Sequence, residues 1–277
     1  MKERKAANIT IFIIMAIVSI AFIMPVIIVA INSFKGQFFI SSSPFSLPNT
    51  ETFAGIQNYV NGIVRIDFFM AFAYSLFITV FSTAAILLFT SMSAWYIVRA
   101  KRGITNALYY LYVFSIIVPF QMVMFTMSKV ANILGLENPI GIILIYLGFG
   151  AGLSVMLFSG FIRGMPIAIE EAAEIDGCNP IGIFFKVILP ILKPTAISVA
   201  VLNVMWIWND YLLPYLVIGS KYKTIPVAVQ YLQGGYGSRD MGALMAMLVL
   251  AIIPIILFYA FSQKYIIKGV VAGAVKG

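Results

Sequence analysis

A chain of 277 residues that is 62% hydrophobic and only 10% charged, with a mean hydropathy of +1.02, cannot cover a water-exposed surface and reads as a polytopic membrane protein. The absence of histidine and the single cysteine, Cys178, exclude imidazole-based catalysis, an intrachain disulfide and most zinc or haem ligation. A net charge of +8 would suit nucleic acid, but the lysines and arginines flank apolar runs, which is the topology pattern, so no nucleic-acid partner is expected.

In chain order, the basic start Met1 to Lys5 leads into an apolar run over about 9–31, too long for a signal-peptide core and without a following A-x-A site. It predicts an uncleaved first span. Further runs over about 69–90, 108–128, 139–162, 195–218 and 241–263 each approach the twenty residues that the hydrocarbon core demands, which makes six spans in all. An outer segment over about 32–68 contains turn material at Ser41 to Pro44 and Pro48 to Thr50 and a possible short helix over Ile56 to Val64. A second outer loop, Gly219 to Asp240, is rich in Gly, Tyr and Gln and is expected to cap the mouth of a path.

Six spans put both termini on one side. If that side is the cytoplasm, it receives twelve of the lysines and arginines and the outside keeps six, which favours N-in and C-in. Inside the spans the polar residues are mild, among them Ser75, Thr79, Ser82 and Thr83, Ser154 and Asn203, and helix–helix hydrogen bonding accounts for them. No acid or base stands near the middle of a span, where ion-coupled carriers place their proton or cation sites. Energy for transport has to come from elsewhere.

The polar interruption at Pro166 to Pro194 carries four of the ten acids, Glu170, Glu171, Glu174 and Asp176, and the charge count places it inside. Pro166 suits the first turn of a helix and Gly177 the left-handed residue just past its end. On that helix the three glutamates fall on one arc, and Ala168, Ile169, Ala172, Ala173 and Ile175 fall on the other. Asn179 can cap a second helix with Pro180 at its first position, and Pro190 and Pro194 stop or kink the continuation of that helix. An acidic helix is poorly suited to the anionic inner leaflet, so a protein partner fits it better than lipid.

The residues Glu171-Ala172-Ala173, the three-residue step to Gly177 and the nine further residues to Val187-Ile188-Leu189-Pro190 resemble the EAA loop of ABC importer permeases. EEAAEIDG at 170–177, ILPILKP at 188–194, WND at 208–210 and the tail GVVAGAVKG at 269–277 are similar to carbohydrate-importer permeases of the maltose-transporter G-subunit type, over nearly the whole chain. The resemblance implies an all-α, six-helix type I importer permease fold, with a single permease domain over 1–277, a cytoplasmic coupling loop at 163–194 and a cytoplasmic tail at 264–277. It implies a bacterial or archaeal cell membrane, a second homologous permease, a cytoplasmic ATPase dimer, an extracytoplasmic solute-binding protein and a sugar substrate, an oligosaccharide by preference. The chain needs no cofactor or metal and is not itself an enzyme.

By the same resemblance, Glu171, Ala172, Ala173, Asp176, Gly177, Leu189 and Pro190 couple the chain to the ATPase. Gly273, Ala274, Val275, Lys276 and Gly277 form a tail that reaches between the ATPase subunits. Glu170 and Glu174 carry less weight, since they can simply solvate the helix face or complement its dipole. Trp206, Trp208, Asn209 and Asp210 are candidates for the substrate path, because indole faces suit sugar rings and amide or carboxylate groups suit hydroxyls. The same cluster also suits an interfacial aromatic belt with a helix-end cap. Pro119 and Pro254 read as kinks. The alternatives are an ABC permease for another small polar solute and an ion-coupled carrier, the latter disfavoured by the missing intramembrane charges.

Overall fold

The structure is a computed structural model that describes the backbone of residues 2–219, 221–233 and 240–274 and the side chains of residues 8–219, 221–233 and 240–263. Among the described residues the chain is helical throughout, and its one strand-like feature is an isolated antiparallel bridge between Lys35 and Phe53. The helices in order are α1 (Lys2–Asn32), α2 (Gln37–Ser42), α3 (Gln57–Arg65), α4 (Phe68–Ala100), α5 (Gly103–Ile117), α6 (Phe120–Ile133) and α7 (Gly141–Arg163). They continue as α8 (Ala168–Ile175), α9 (Pro180–Ile183), α10 (Leu189–Ile191), α11 (Lys193–Asn209), α12 (Leu212–Val217), α13 (Ile225–Gln230) and α14 (Met241–Ala274).

Among the described residues four stretches are long and apolar enough to cross a membrane: Asn8–Asn32, Phe68–Ala100, Gly141–Arg163 and Met241–Gln263. The number becomes six if two bent pairs each count as one span. The span expected over 108–128 is not continuous, because α5 and α6 meet at 107°. Val118, held extended at ψ 112° by the following Pro119 ring, ends α5, and Pro119 has no N–H to continue the ladder. The span expected over 195–218 is likewise α11 and α12, separated at Asp210. α4 outgrows its expected span at both ends, reaching 33 residues, about 50 Å at 1.5 Å per residue, and α1 and α14, at 31 and 34 residues, also run past theirs.

Residues 1–69 and 228–254 form one compact unit. Its segment after α1, residues 33–67, is ordered by buried polar side chains rather than by apolar core. Asn32 donates to the carbonyls of Ile28 and Pro44, both at 2.8 Å, and Asn58 donates to those of Ser33 and Lys35, both at 2.8 Å. The fully buried Lys35 ammonium donates to the Ser43 carbonyl at 2.7 Å. These side chains satisfy backbone groups that a short, irregular segment leaves open. Gly242 lies flat against Asn58, where a Cβ would strike the amide.

Residues 70–227 and 255–277 form the other unit. Its core runs along α4, α7 and α11, with Ile86, Tyr146, Val155, Phe158, Ile162 and Val199 buried completely. Small residues set the helix spacing: a Cβ on Gly152 would lie 2.6 Å from the Tyr112 carbonyl oxygen, and one on Gly150 would meet Ile86 and Asn203. Asn203 donates to Ser154 at 3.3 Å, and Ser75 accepts the Ile225 N–H at 2.8 Å. The mild intramembrane polar residues Ser75, Ser154 and Asn203 thus act as helix–helix glue.

Candidate functional site

The EAA stretch folds as helix, tight turn, helix. α8 ends in a Schellman motif: Gly177 has φ +82°, its N–H bonds to the Glu174 carbonyl at 2.9 Å, and the Cys178 N–H bonds to that of Ala173 at 3.0 Å. Only glycine takes this conformation without strain, and nothing else crowds the position. Asn179 then caps α9, its Oδ1 accepting the Gly182 N–H at 2.7 Å, with Pro180 at the first position. Both punctuation marks read from the sequence are present.

The segment after α9 is less regular than the sequence suggests. Phe184–Ile188 is a π-helical turn leading into Leu189-Pro190. Pro190 cannot donate to the Lys186 carbonyl, and the wider turn accommodates its ring. The chain then bends by 76° between the stretch Pro180–Ile191 and α11. Ile188 and Leu192 anchor the bend in the core, whereas Leu189 is half-buried and Pro190 exposed.

The two arcs of α8 are not divided as expected. Glu170 and Ala173 face inward, Glu170 with 7% exposure, while Ile175 is 87% exposed. The cause is a cation on α4. The Arg99 guanidinium donates through Nε to Glu170 Oε1 at 2.7 Å, and its second nitrogen, Nη2, stands 2.7 Å from the same oxygen. Trp95 Nε1 donates to Glu170 Oε2 at 2.9 Å, and Arg99 also reaches the Met165 carbonyl at 3.3 Å. Glu170 therefore neither solvates the helix face nor serves its dipole; it is a buried tether. The outward face of α8 mixes acids and isoleucines: Glu171, Glu174 and Asp176 stand beside Ile167, Ile169 and Ile175, with Ala172 between them. Of the residues expected to couple, Glu171, Ala172, Asp176, Gly177 and Pro190 lie on the surface, and Ala173 packs beneath.

The second candidate cluster divides in two. Trp208 is buried, its ring edge-on to Phe72 at 5.8 Å. Asp210 Oδ1 accepts the N–H groups of Leu212, at 3.0 Å, and Leu213, at 3.4 Å, which starts α12, while Oδ2 accepts the Tyr146 hydroxyl at 3.0 Å. Trp206 remains 40% exposed, edge-on to Tyr146 at 5.4 Å, and Asn209 is exposed with its amide turned back to the Met205 carbonyl. Gly273 to Gly277 lie outside the described side chains.

Sequence reasoning missed Trp95, Arg99 and Tyr146. Trp95 and Arg99 sit four residues apart and so share a helix face, but nothing in the sequence pairs them with an acid 71 residues away.

The model of the family described as "Binding-protein-dependent transport system inner membrane component" matches residues 86–271. The chain is 37% identical over 261 residues, 94% of each chain, to the probable starch degradation products transport system permease protein AmyC of Thermoanaerobacterium thermosulfurigenes. It is 32% identical over 280 residues, 99% of each chain, to the multiple sugar-binding transport system permease protein MsmG of Streptococcus mutans. Among solved structures, a chain of a bacterial ABC transporter involved in the import of the acidic polysaccharide alginate superimposes with a TM-score of 0.80 at 22% identity, covering 96% of this chain and 98% of that one.

Proposed function

Because the chain belongs to the inner-membrane components of binding-protein-dependent transport systems, the permease subunits of ABC importers, we propose that it forms half of a sugar-translocation path and is driven through α8. The chain is a transport component and works with the other parts of an importer. In the proposed assembly those parts are a second permease, a cytoplasmic ATPase dimer and an extracytoplasmic binding protein, and residues 1–277 serve as one permease domain with both termini inside. The charge asymmetry of twelve against six supports that orientation.

The observation that carries the reading is the outward face of α8. A helix of eight residues, fixed at one end by a glycine turn and tethered beneath by Glu170, presents, together with its caps Ile167 and Asp176, three acids and three isoleucines to whatever docks on it. Apolar side chains exposed beside fixed charges suit a protein groove with basic edges better than a lipid surface. Closure of the docked ATPase would displace α8 as a body, and a packed helical interface converts such a displacement into movement of spans. Leu189-Pro190 and the π turn shape the return to α11.

A sugar, and an oligosaccharide in particular, is supported by the relatives named for starch degradation products and multiple sugars. On this chain Trp206 and Asn209 are the members of the outer cluster able to meet a solute, while Trp208 and Asp210 hold the helix break that presents them. The tail at Gly273 to Gly277 is proposed as a second ATPase contact on the sequence resemblance alone.

The test is Gly177→Asp in the complete complex in lipid nanodiscs. The expected result is loss of the ATPase subunits on size-exclusion chromatography, with the permease pair intact. A complex that keeps its ATPase and its binding-protein-stimulated hydrolysis would sink the coupling role of α8. A thermal-shift screen of the cognate binding protein against malto-oligosaccharides, other oligosaccharides and polyols identifies the solute class.

A further inference from the structure

The Trp95–Arg99–Glu170 cluster bears on how movement leaves α8. We propose that it is a transmission clamp through which α8 and the adjoining end of α4 move as one body, with Glu170 a positioning residue rather than a contact for the partner. This rests on the reading of α8 as the docking helix.

Both carboxylate oxygens of Glu170 are taken: Oε1 by Arg99, and Oε2 by Trp95 at 2.9 Å. At 7% exposure, the group presents almost no surface to a docked subunit. Arg99 also holds the Met165 carbonyl, just before the chain enters α8, and the Trp95 ring lies 5.8 Å from that of the buried Phe184 in the π turn. One face of the last two turns of α4 thus grips the coupling segment at its entry, at its helix and at its exit. Sliding α8 along α4 would strand a carboxylate and a guanidinium away from water, whereas carrying both helices together leaves every bond intact. Joint movement is the cheaper response to a push on α8.

α4 is also the element able to deliver that push. It contains neither proline nor glycine over its 33 residues. By contrast α5 and α6 are broken by 107°, and the return to α11 by 76°. An unbroken helix carries an axial displacement along its length; a bent one absorbs it at the break.

The test uses the complete complex in nanodiscs with Cys178→Ser removing the native thiol and Ala73→Cys reporting from the exposed far end of α4, about 40 Å from Arg99 along the helix. The labelling rate by a membrane-impermeant maleimide is compared with and without ATP and vanadate. The parent should show a nucleotide-dependent change in rate; no change in the parent overturns movement of α4. Arg99→Ala alone can prevent assembly, so the deciding variant is Arg99→Met with Glu170→Leu, which replaces the pair by apolar groups of similar size. It should keep its ATPase subunits and hydrolyse ATP within about twofold of the parent, while the nucleotide-dependent labelling change falls about tenfold. An undiminished change overturns the clamp. Loss of the ATPase together with the labelling change also overturns it, since that is what a merely structural role predicts. The Gly177→Asp arm stands apart: retention of the ATPase there defeats the docking role of α8 whatever the clamp variants show.

Discussion

The turn at α8 and the break at Asp210 use a carboxylate in opposite ways. Glu170 is bound to a full cation and an indole from α4, 71 and 75 residues away, so it joins elements that the chain itself leaves apart. Asp210 spends one oxygen on the N–H groups two and three residues ahead and the other on a neutral phenol. The first is a tertiary tether and the second a local cap with one crosslink. Acids of one type, in stretches that a sequence motif marks equally, therefore do different work: the buried ones fix geometry, and the exposed ones, Glu171, Glu174 and Asp176, are free for a partner.

Five variants sharpen that contrast. Arg99→Ala should be the most damaging, because it leaves the Glu170 carboxylate buried without its cation; a loss of about 3–5 kcal/mol is expected in thermal or denaturant melts of the solubilised protein. The paired change Arg99→Met with Glu170→Leu should recover most of that loss, and failure to recover it would mean that the bond network, rather than the stranded charge, sets the cost. Asp210→Ala comes next, at about 1–2 kcal/mol for a lost cap and a phenol without its acceptor. Asp210→Asn keeps one acceptor oxygen for the cap and turns an NH2 donor toward the Tyr146 oxygen, which can accept it in place of donating, so its melt should lie close to the parent; a drop as large as that of the alanine would show that the charge matters there after all. Smallest in stability is Ile175→Ala, within about 0.5 kcal/mol since the side chain is out of the core. Its effect should instead appear as weaker ATPase retention in dilution experiments.

Much of the fold and of the inner site can be read from residue order, because the governing signals are local. Gly177 just past a helix and Asn179-Pro180 at the start of another act through neighbours in sequence and appear where the pattern puts them, as do four of the six apolar runs. The departures have a common source. Polarity alone divides α8 into two arcs, and a buried acid is invisible to that rule when its cation arrives from α4. Pro119 marks a kink in the run over 108–128, but hydropathy, blind to a missing N–H, still counts that run as one straight span, and the bend reaches 107°. Tyr146 and Asp210 meet across 64 residues, a distance over which no local pattern speaks.

The π turn at Phe184–Ile188 has a consequence for the spacing of the motif. A π turn holds one more residue than the α-turn it replaces, so it acts as a phase shifter between Gly177 and α11. Each residue added or removed there would rotate everything downstream by about 100° around the helix axis. Asn203 would then swing away from Ser154 and from the gap that Gly150 keeps open for it. The interval from the glycine turn to Leu189-Pro190 is in this sense an angular setting as much as a length, the dial that fixes which side of α11 looks into the bundle.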